Sequence, residues 1–291
     1  MDRILLSLGG RLLAVEGDSA VRFLHQYDGA RPFIADSGEA EWTVRYDEDL
    51  PEKPHGDLLS EFTFSEINSV CHFRYAGDDY FYEMYNQADR KPLVAMHYRK
   101  GENSVCASQC DNTSALRFSL WFAVGMLGAC SSFTFVHSSV VVHNGRAVLF
   151  LGESGTGKST HTRLWLNNIV DSHLLNDDSP ILTIEQGRPY VYGSPWSGKT
   201  PCYVARRFPL KAVVRLSQAP QNTMSRLSIP QAFAALHPSL PPVLMQDTHF
   251  ADSLLDMISD TISAVPSYHL ACLPDADAAR LSRNTIFDAS I

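Results

Sequence analysis

The chain has 291 residues, 45% of them hydrophobic and 19% charged, with a formal net charge of −8. That apolar fraction excludes wholesale disorder, and a length near two average domains allows buried cores without a disulfide or metal staple. The acidic balance argues against nucleic acid as the main partner, because neutralising a phosphate polymer needs a basic face; any phosphate site has to be local.

The N-terminus lacks the basic start and apolar core of about 7–15 residues that a secretory leader needs. The six cysteines include no CxxC pair, so neither a zinc ribbon nor a redox motif is supported. A cytoplasmic protein with reduced thiols is expected. Residues 1–110 read as a β-rich N-terminal domain. Residues 41–46 alternate with the two-residue period of a half-buried strand, and residues 70–75 and 80–85 flank a Gly/Asp turn, which is a hairpin signal. Residues 93–98 and 104–106 continue the meander.

Period and composition change near residue 111, where a second domain, 111–291, is expected to begin. Asp111-Asn112-Thr113-Ser114 offers several helix caps ahead of a long apolar helix running to about Leu127. The stretch 118–136 is apolar enough to resemble a membrane span. Gly125, Gly128, Ser131 and Ser132, and the apolar strands that follow, predict instead a buried helix running into a strand, with no membrane contact. Residues 133–142 read as one buried strand, Asn144-Gly145 as a type I′ turn, and residues 146–151 as a second buried strand. Later helices are expected over 229–236, 248–264 and 275–285. The fold class predicted is therefore α+β or α/β, a β-rich domain followed by a mixed-sheet domain.

The segment Gly152-Glu153-Ser154-Gly155-Thr156-Gly157-Lys158-Ser159 fits G-x-x-x-x-G-K-[ST] at every fixed position, between an apolar strand and a helix-compatible segment over 161–167, and Thr160 joins the residues expected to hold the nucleotide. Its glycines permit positive φ, so backbone N–H groups can turn inward onto a phosphate, and the helix N-terminus adds partial positive charge. In such a loop Lys158 reaches the β- and γ-phosphates and the Ser159 hydroxyl ligates Mg²⁺. A chance Gly-rich turn is the bland alternative, and the flanking strand and helix weigh against it.

A P-loop names a nucleotide phosphate but not a reaction. About 20 residues past Lys158, His173-Leu174-Leu175-Asn176-Asp177-Asp178 is a short apolar strand ending in two acids. A doubly wound sheet puts its ligand-facing residues there. One carboxylate can hold Mg²⁺ and the other can accept a hydroxyl proton. Gly193-Ser194-Pro195-Trp196-Ser197-Gly198-Lys199-Thr200 follows a hairpin. It reads either as a functional loop, with Lys199 adding positive charge and Trp196 covering the site, or as a surface turn with a packing Trp. His137 either orients a carboxylate or is a satisfied core histidine.

The order His137, P-loop, helix, Asp177-Asp178, hairpin, Gly-rich loop resembles the catalytic domain of the HPr kinase/phosphorylase family, whose P-loop core is shared with phosphoenolpyruvate carboxykinases. The Gly155-Thr156-Gly157-Lys158 core looks particularly like the carboxykinase version. The resemblance covers roughly residues 130–215 and implies a mixed-sheet P-loop kinase core. It implies that Asp177 is the base on a substrate hydroxyl, oriented by His137, that Asp178 and Ser159 serve Mg²⁺, and that ATP is the donor. Where the family carries an acidic-hydrophobic-Arg-Gly signature, this chain has Val191-Tyr192-Gly193-Ser194-Pro195-Trp196, which withdraws support for a metal-binding Glu there and for phosphorylase activity. Oligomerisation is implied by the resemblance alone. The expected activity is transfer of the γ-phosphate of ATP to a hydroxyl, with serine of a protein or peptide as the acceptor the resemblance points to. The alternatives are a nucleotide sensor or NTPase that transfers nothing, and a carboxykinase-like enzyme. The Asp177-Asp178 pair favours catalysis over sensing.

Overall fold

The computed structural model describes residues 2–51, 56–198 and 200–288. The chain forms two compact units, Met1–Ser131 with Val243–Ala251, and Ser132–Pro242 with Asp252–Ile291. Each is a mixed sheet with helices, so the class is α+β.

In the first unit β1 (Arg3–Leu8), β2 (Arg11–Glu16), α1 (Asp18–Gln26), β3 (Ile34–Ala35) and β4 (Trp42–Arg45) are followed by β5 (Asp57–Phe64), β6 (Ser69–Ala76), β7 (Asp79–Asn86), β8 (Pro92–Arg99), β9 (Ser104–Ala107) and α2 (Thr113–Ala129). The strand order is β3-β1-β2-β4-β9-β8-β7-β6-β5, antiparallel except where β4 pairs parallel with β2 and β9. β6 and β7 close on Gly77-Asp78, the turn read from the sequence. The Asn112 side chain caps α2 by accepting from the Ala115 N–H at 2.9 Å.

Sequence placed α2 at the head of the second domain, but it packs within the first unit. Phe118 and Phe122, one turn apart on one face, stack on Phe64 (4.4 Å) and Tyr82 (4.6 Å). The alternating strands β5 to β7 present the matching aromatic surface, so burial rather than chain order assigns the helix. The short α1 was missed, since its nine residues gain their helicity from burying Val21, Phe23 and Leu24 rather than from length.

The second unit runs β10 (Phe133–Phe135), β11 (Ser138–His143), β12 (Arg146–Leu151), α3 (Lys158–Asn168), β13 (Ser172–Asp178), β14 (Ile181–Glu185), β15 (Arg188–Tyr192), β16 (Arg207–Gln218), β17 (Thr223–Arg226), α4 (Ile229–Leu236), α5 (Thr248–Ala264), β18 (Ser267–Cys272) and α6 (Ala276–Phe287), with the start of α5 counted in the first unit. The sheet order is β10-β14-β15-β16-β12-β11-β13, with β18 pairing β16 and β17. β12, β16 and β18 are mutually parallel, and the other pairings are antiparallel. Val148, Phe150, Val214 and Leu216 of the central strands form one core with Trp165 of α3 and Ala279 and Ile286 of α6. Asn144 and Gly145 both have positive φ, as the type I′ turn between β11 and β12 requires.

Residues 133–142 are two strands, not one. The Val136 N–H still bonds Pro180 O at 3.0 Å, in register with the β10–β14 pairing, but the His137 N–H turns away to Ser239 O at 2.7 Å. The break turns His137 out of the core, where it is exposed. Among the described residues no helix is long and apolar enough to cross a membrane.

Candidate functional site

β12 ends at the buried Leu151, and the chain then turns through Gly152 to Gly157 into α3. Gly157 is the N-cap of α3 with φ 102°, a conformation that side chains with a Cβ rarely adopt. At Gly152, φ is 154° and an added Cβ would lie 2.4 Å from Thr156 Oγ1. Thr156 closes the turn, donating from Oγ1 to Glu153 O at 2.8 Å. The first helical hydrogen bond of α3 is the His161 N–H to Gly157 O. The amides of the first turn of α3 are the orphan donors that make a helix start an anion site, and no acid occupies that turn.

The Lys158 ammonium uses all three of its donors. Nζ lies 2.7 Å from Gly152 O, 3.3 Å from Glu153 O and 3.0 Å from His137 Nε2. An ammonium only donates, so Nε2 of His137 is the acceptor and its proton sits on Nδ1. That nitrogen lies 3.3 Å from Asp178 Oδ1. The result is a chain, Lys158 to His137 to Asp178. Ser179 Oγ donates to the other carboxylate oxygen, Oδ2, at 3.2 Å. Burial pushes the Asp178 carboxyl up, but the His137 hydrogen bond, the Ser179 hydroxyl and Lys158 outweigh it and hold the carboxyl below its ordinary range. Burial lowers the Lys158 ammonium below its ordinary range, against the pull of Asp178 and Asp177.

Asp177 is in a different environment. It is 5% exposed, and its Oδ1 accepts from Ser159 Oγ at 3.0 Å. The separation has a simple cause: successive side chains of a strand point to opposite faces. The neighbouring β11 shows the same face, since Ser139, opposite Asp177, also bonds α3 through Thr162. Asp178 ends β13 with φ 147°, a conformation rare for a residue with a side chain and one found at functional sites.

The resemblance placed His137 on Asp177; the geometry places it on Asp178. Among the other expected residues, Glu153, Ser154 and Gly155 form the exposed crest of the loop, and Thr156, Gly157, Lys158 and Ser159 are half-buried beneath it. Thr160 is exposed on the first turn of α3. Trp196 packs, being 4% exposed and edge-on to Phe135 at 5.3 Å. Lys199 lies outside the described residues. No group of three or more His, Cys, Asp or Glu among the described residues is arranged to hold a metal by itself. The pair Asp177 and Ser159, one carboxylate and one hydroxyl oxygen beside a phosphate loop, matches what Mg²⁺ takes from a protein when phosphates and water complete its shell.

Three features were missed. Asn176 is fully buried and fastens the Gly-rich loop to the acids, donating to Ser194 O and Trp196 O while its Oδ1 accepts the Ser179 N–H. Arg215 pairs with Glu153 at 3.6 Å from the strand beside the P-loop strand; an Arg inside the apolar run Val213-Val214-Arg215-Leu216 was the available signal. A cavity also opens beside the loop, bordered by α3 and the ends of β16 and β18.

No family model matches the chain, and no curated protein matches it. Among solved structures it is similar to "Structure of the Hpr(Ser) kinase/phosphatase from Coxiella burnetii", at 12% identity and a TM-score of 0.31, over 53% of this chain and 88% of that one. A likeness of that size carries no argument about this chain's activity.

Proposed function

We propose that the second unit is an ATP-dependent phosphotransferase that moves the γ-phosphate to a hydroxyl, with serine of a protein or peptide as the acceptor class. The observation that carries this reading is the division of labour between two adjacent carboxylates at the mouth of a P-loop. Asp178 is tied through His137 to Lys158, while Asp177 is paired with the P-loop hydroxyl Ser159. Paired acids pushed into different environments mark different roles.

The roles proposed reverse those the resemblance implied. Asp177 and Ser159 would hold Mg²⁺, which when bound neutralises phosphate charge. Asp178, kept ionised and 41% exposed at its side chain, accepts the hydrogen bond of the incoming hydroxyl. As the bond from γ-phosphorus to the β–γ bridging oxygen breaks and the new bond to the acceptor oxygen forms, the hydroxyl proton passes to Asp178 and ADP leaves. His137 keeps its Nδ1–H on the carboxylate and so fixes its orientation. Lys158 exchanges its loop carbonyls for phosphate oxygens, and the loop amides hold the rest of the charge. Phosphoryl transfer needs positioning and charge neutralisation more than covalent chemistry, and these groups supply both.

Incubation with γ-labelled ATP and Mg²⁺ in a lysate or against a serine peptide library tests the reading. Asp178→Asn keeps an acceptor for His137 but no base, so transfer should fall by roughly 10²–10⁴-fold with ATP affinity unchanged. Asp177→Asn should raise the Mg²⁺ concentration needed. Release of phosphate with no labelled acceptor would assign an NTPase instead.

A further inference from the structure

Arg215 stands in an apolar run of β16, between Val214 and Leu216, which are both buried. Those two neighbours belong to the core that Trp165 of α3 and Ala279 of α6 share. Arg215, one residue out of step with each, leaves the sheet on the opposite face. The strand register carries that face across the sheet. Arg215 is level with Leu151 at the end of the P-loop strand, Leu151 with Ser138 of β11, and Ser138 with Asp178 of β13. Asp178 and Arg215 therefore share one row and one face, while α3 packs on the other.

The two residues between them, Ser138 and Leu151, are fully buried. The side chains of Asp178 and Arg215 are 41% and 30% exposed. The row thus presents an anion at one end and a cation at the other. Three strand spacings of about 4.8 Å separate their backbones, roughly 14 Å in all. Arg215 leans toward the crest of the loop, where its Nη2 lies 3.6 Å from Glu153 Oε1. At that length the pair is a charge contact rather than a hydrogen bond. The Glu153 side chain is 85% exposed, so exchanging it for another anion costs little. The pair also shows what this guanidinium takes, a carboxylate.

Resting on the phosphotransferase reading, we propose that Arg215 sets the choice of acceptor by holding a carboxylate of the peptide whose serine hydroxyl meets Asp178. The acceptor class is then an acidic peptide. Its Asp or Glu lies about three or four residues from the serine, since an extended chain advances about 3.3 Å per residue and has roughly 10–14 Å to span. The acceptor carboxylate displaces Glu153 and takes the forked hydrogen bonds that Glu153 does not make.

Steady-state transfer from γ-labelled ATP with Mg²⁺ to synthetic serine peptides tests the assignment, each peptide carrying Glu, Gln or Lys three or four residues to either side of the serine. The unaltered protein should prefer Glu to Gln by about tenfold or more in kcat/KM, through KM rather than kcat. Arg215→Gln should bring that ratio to within about twofold of one, and Arg215→Glu should turn the preference toward Lys. Each ratio is taken within one protein, so a partly unfolded variant does not mimic the result. An unaltered protein that labels the peptides without preferring Glu, or variants that keep the preference, overturn the acceptor subsite and leave the kinase reading standing. Label on lysate proteins but on none of the peptides does the same. A loss of ATP affinity beyond about tenfold in Arg215→Gln, with the Glu preference kept, assigns Arg215 to the nucleotide and also overturns the subsite. Label on no peptide and no lysate protein removes the phosphotransferase reading and the subsite with it.

Discussion

Acid should destabilise the second unit through a single buried ring. His161 is 3% exposed, and burial pushes its pKa down from 6.5 to about 4. In the unfolded chain the ring titrates near 6.5, so below that pH the unfolded state binds more protons than the folded state. The stability contributed by the neutral ring is therefore complete above pH 6.5 and is lost as the pH falls toward 4. With these two values the loss between pH 7.5 and pH 5 is about 2 kcal/mol. The assay is urea unfolding followed by tryptophan fluorescence, for which Trp165, bonded to His161, is a local reporter. His143 and His173, also lowered by burial, contribute in the same direction, so the quantity to read is a difference against His161→Met. Methionine adapts to irregular space and does not titrate. The gap between the two proteins should narrow by about 2 kcal/mol on going to pH 5. Parallel loss of stability in both proteins would refute the placement of a neutral, buried imidazole at this position.

Lys158→Ala removes the ammonium that would meet the phosphates, and calorimetry should show ATP affinity or turnover reduced by about 100-fold or more. Glu153→Gln frees Arg215 from an exposed partner and removes an anion from the loop crest; ATP affinity should rise by about threefold, in keeping with the small worth of exposed pairs. Asn176→Leu removes the amide that donates to the carbonyls of Ser194 and Trp196 and leaves the Ser179 N–H without its Oδ1 acceptor. Thermal unfolding should show a loss of about 1–3 kcal/mol, and label transfer should fall with it as the acids lose their support.

The Gly-rich turn into α3 was readable because its spacing fixes its conformation: Gly157 takes a positive φ where α3 starts, and Lys158 and Ser159 follow at once. The helices over 229–236 and 248–264 were equally legible from apolar periodicity. Residues 133–142 were not, because an unbroken apolar run does not reveal that the His137 N–H finds its partner, Ser239 O, outside the ladder.

Residue identity alone determined the class of the fold, the Gly-rich turn that opens α3 and the pair of acids that ends β13, since these depend on local conformation and on neighbours in the chain. Tertiary structure decided which acid each partner meets, where α2 is buried and that His161 borders a cavity. Those depend on which face of a strand or helix a side chain leaves from and on what distant segment packs there. The pairing of His137 with Asp178 rather than Asp177 is the clearest case: the two acids are adjacent in sequence, and the alternation of β13 sends them to opposite sides.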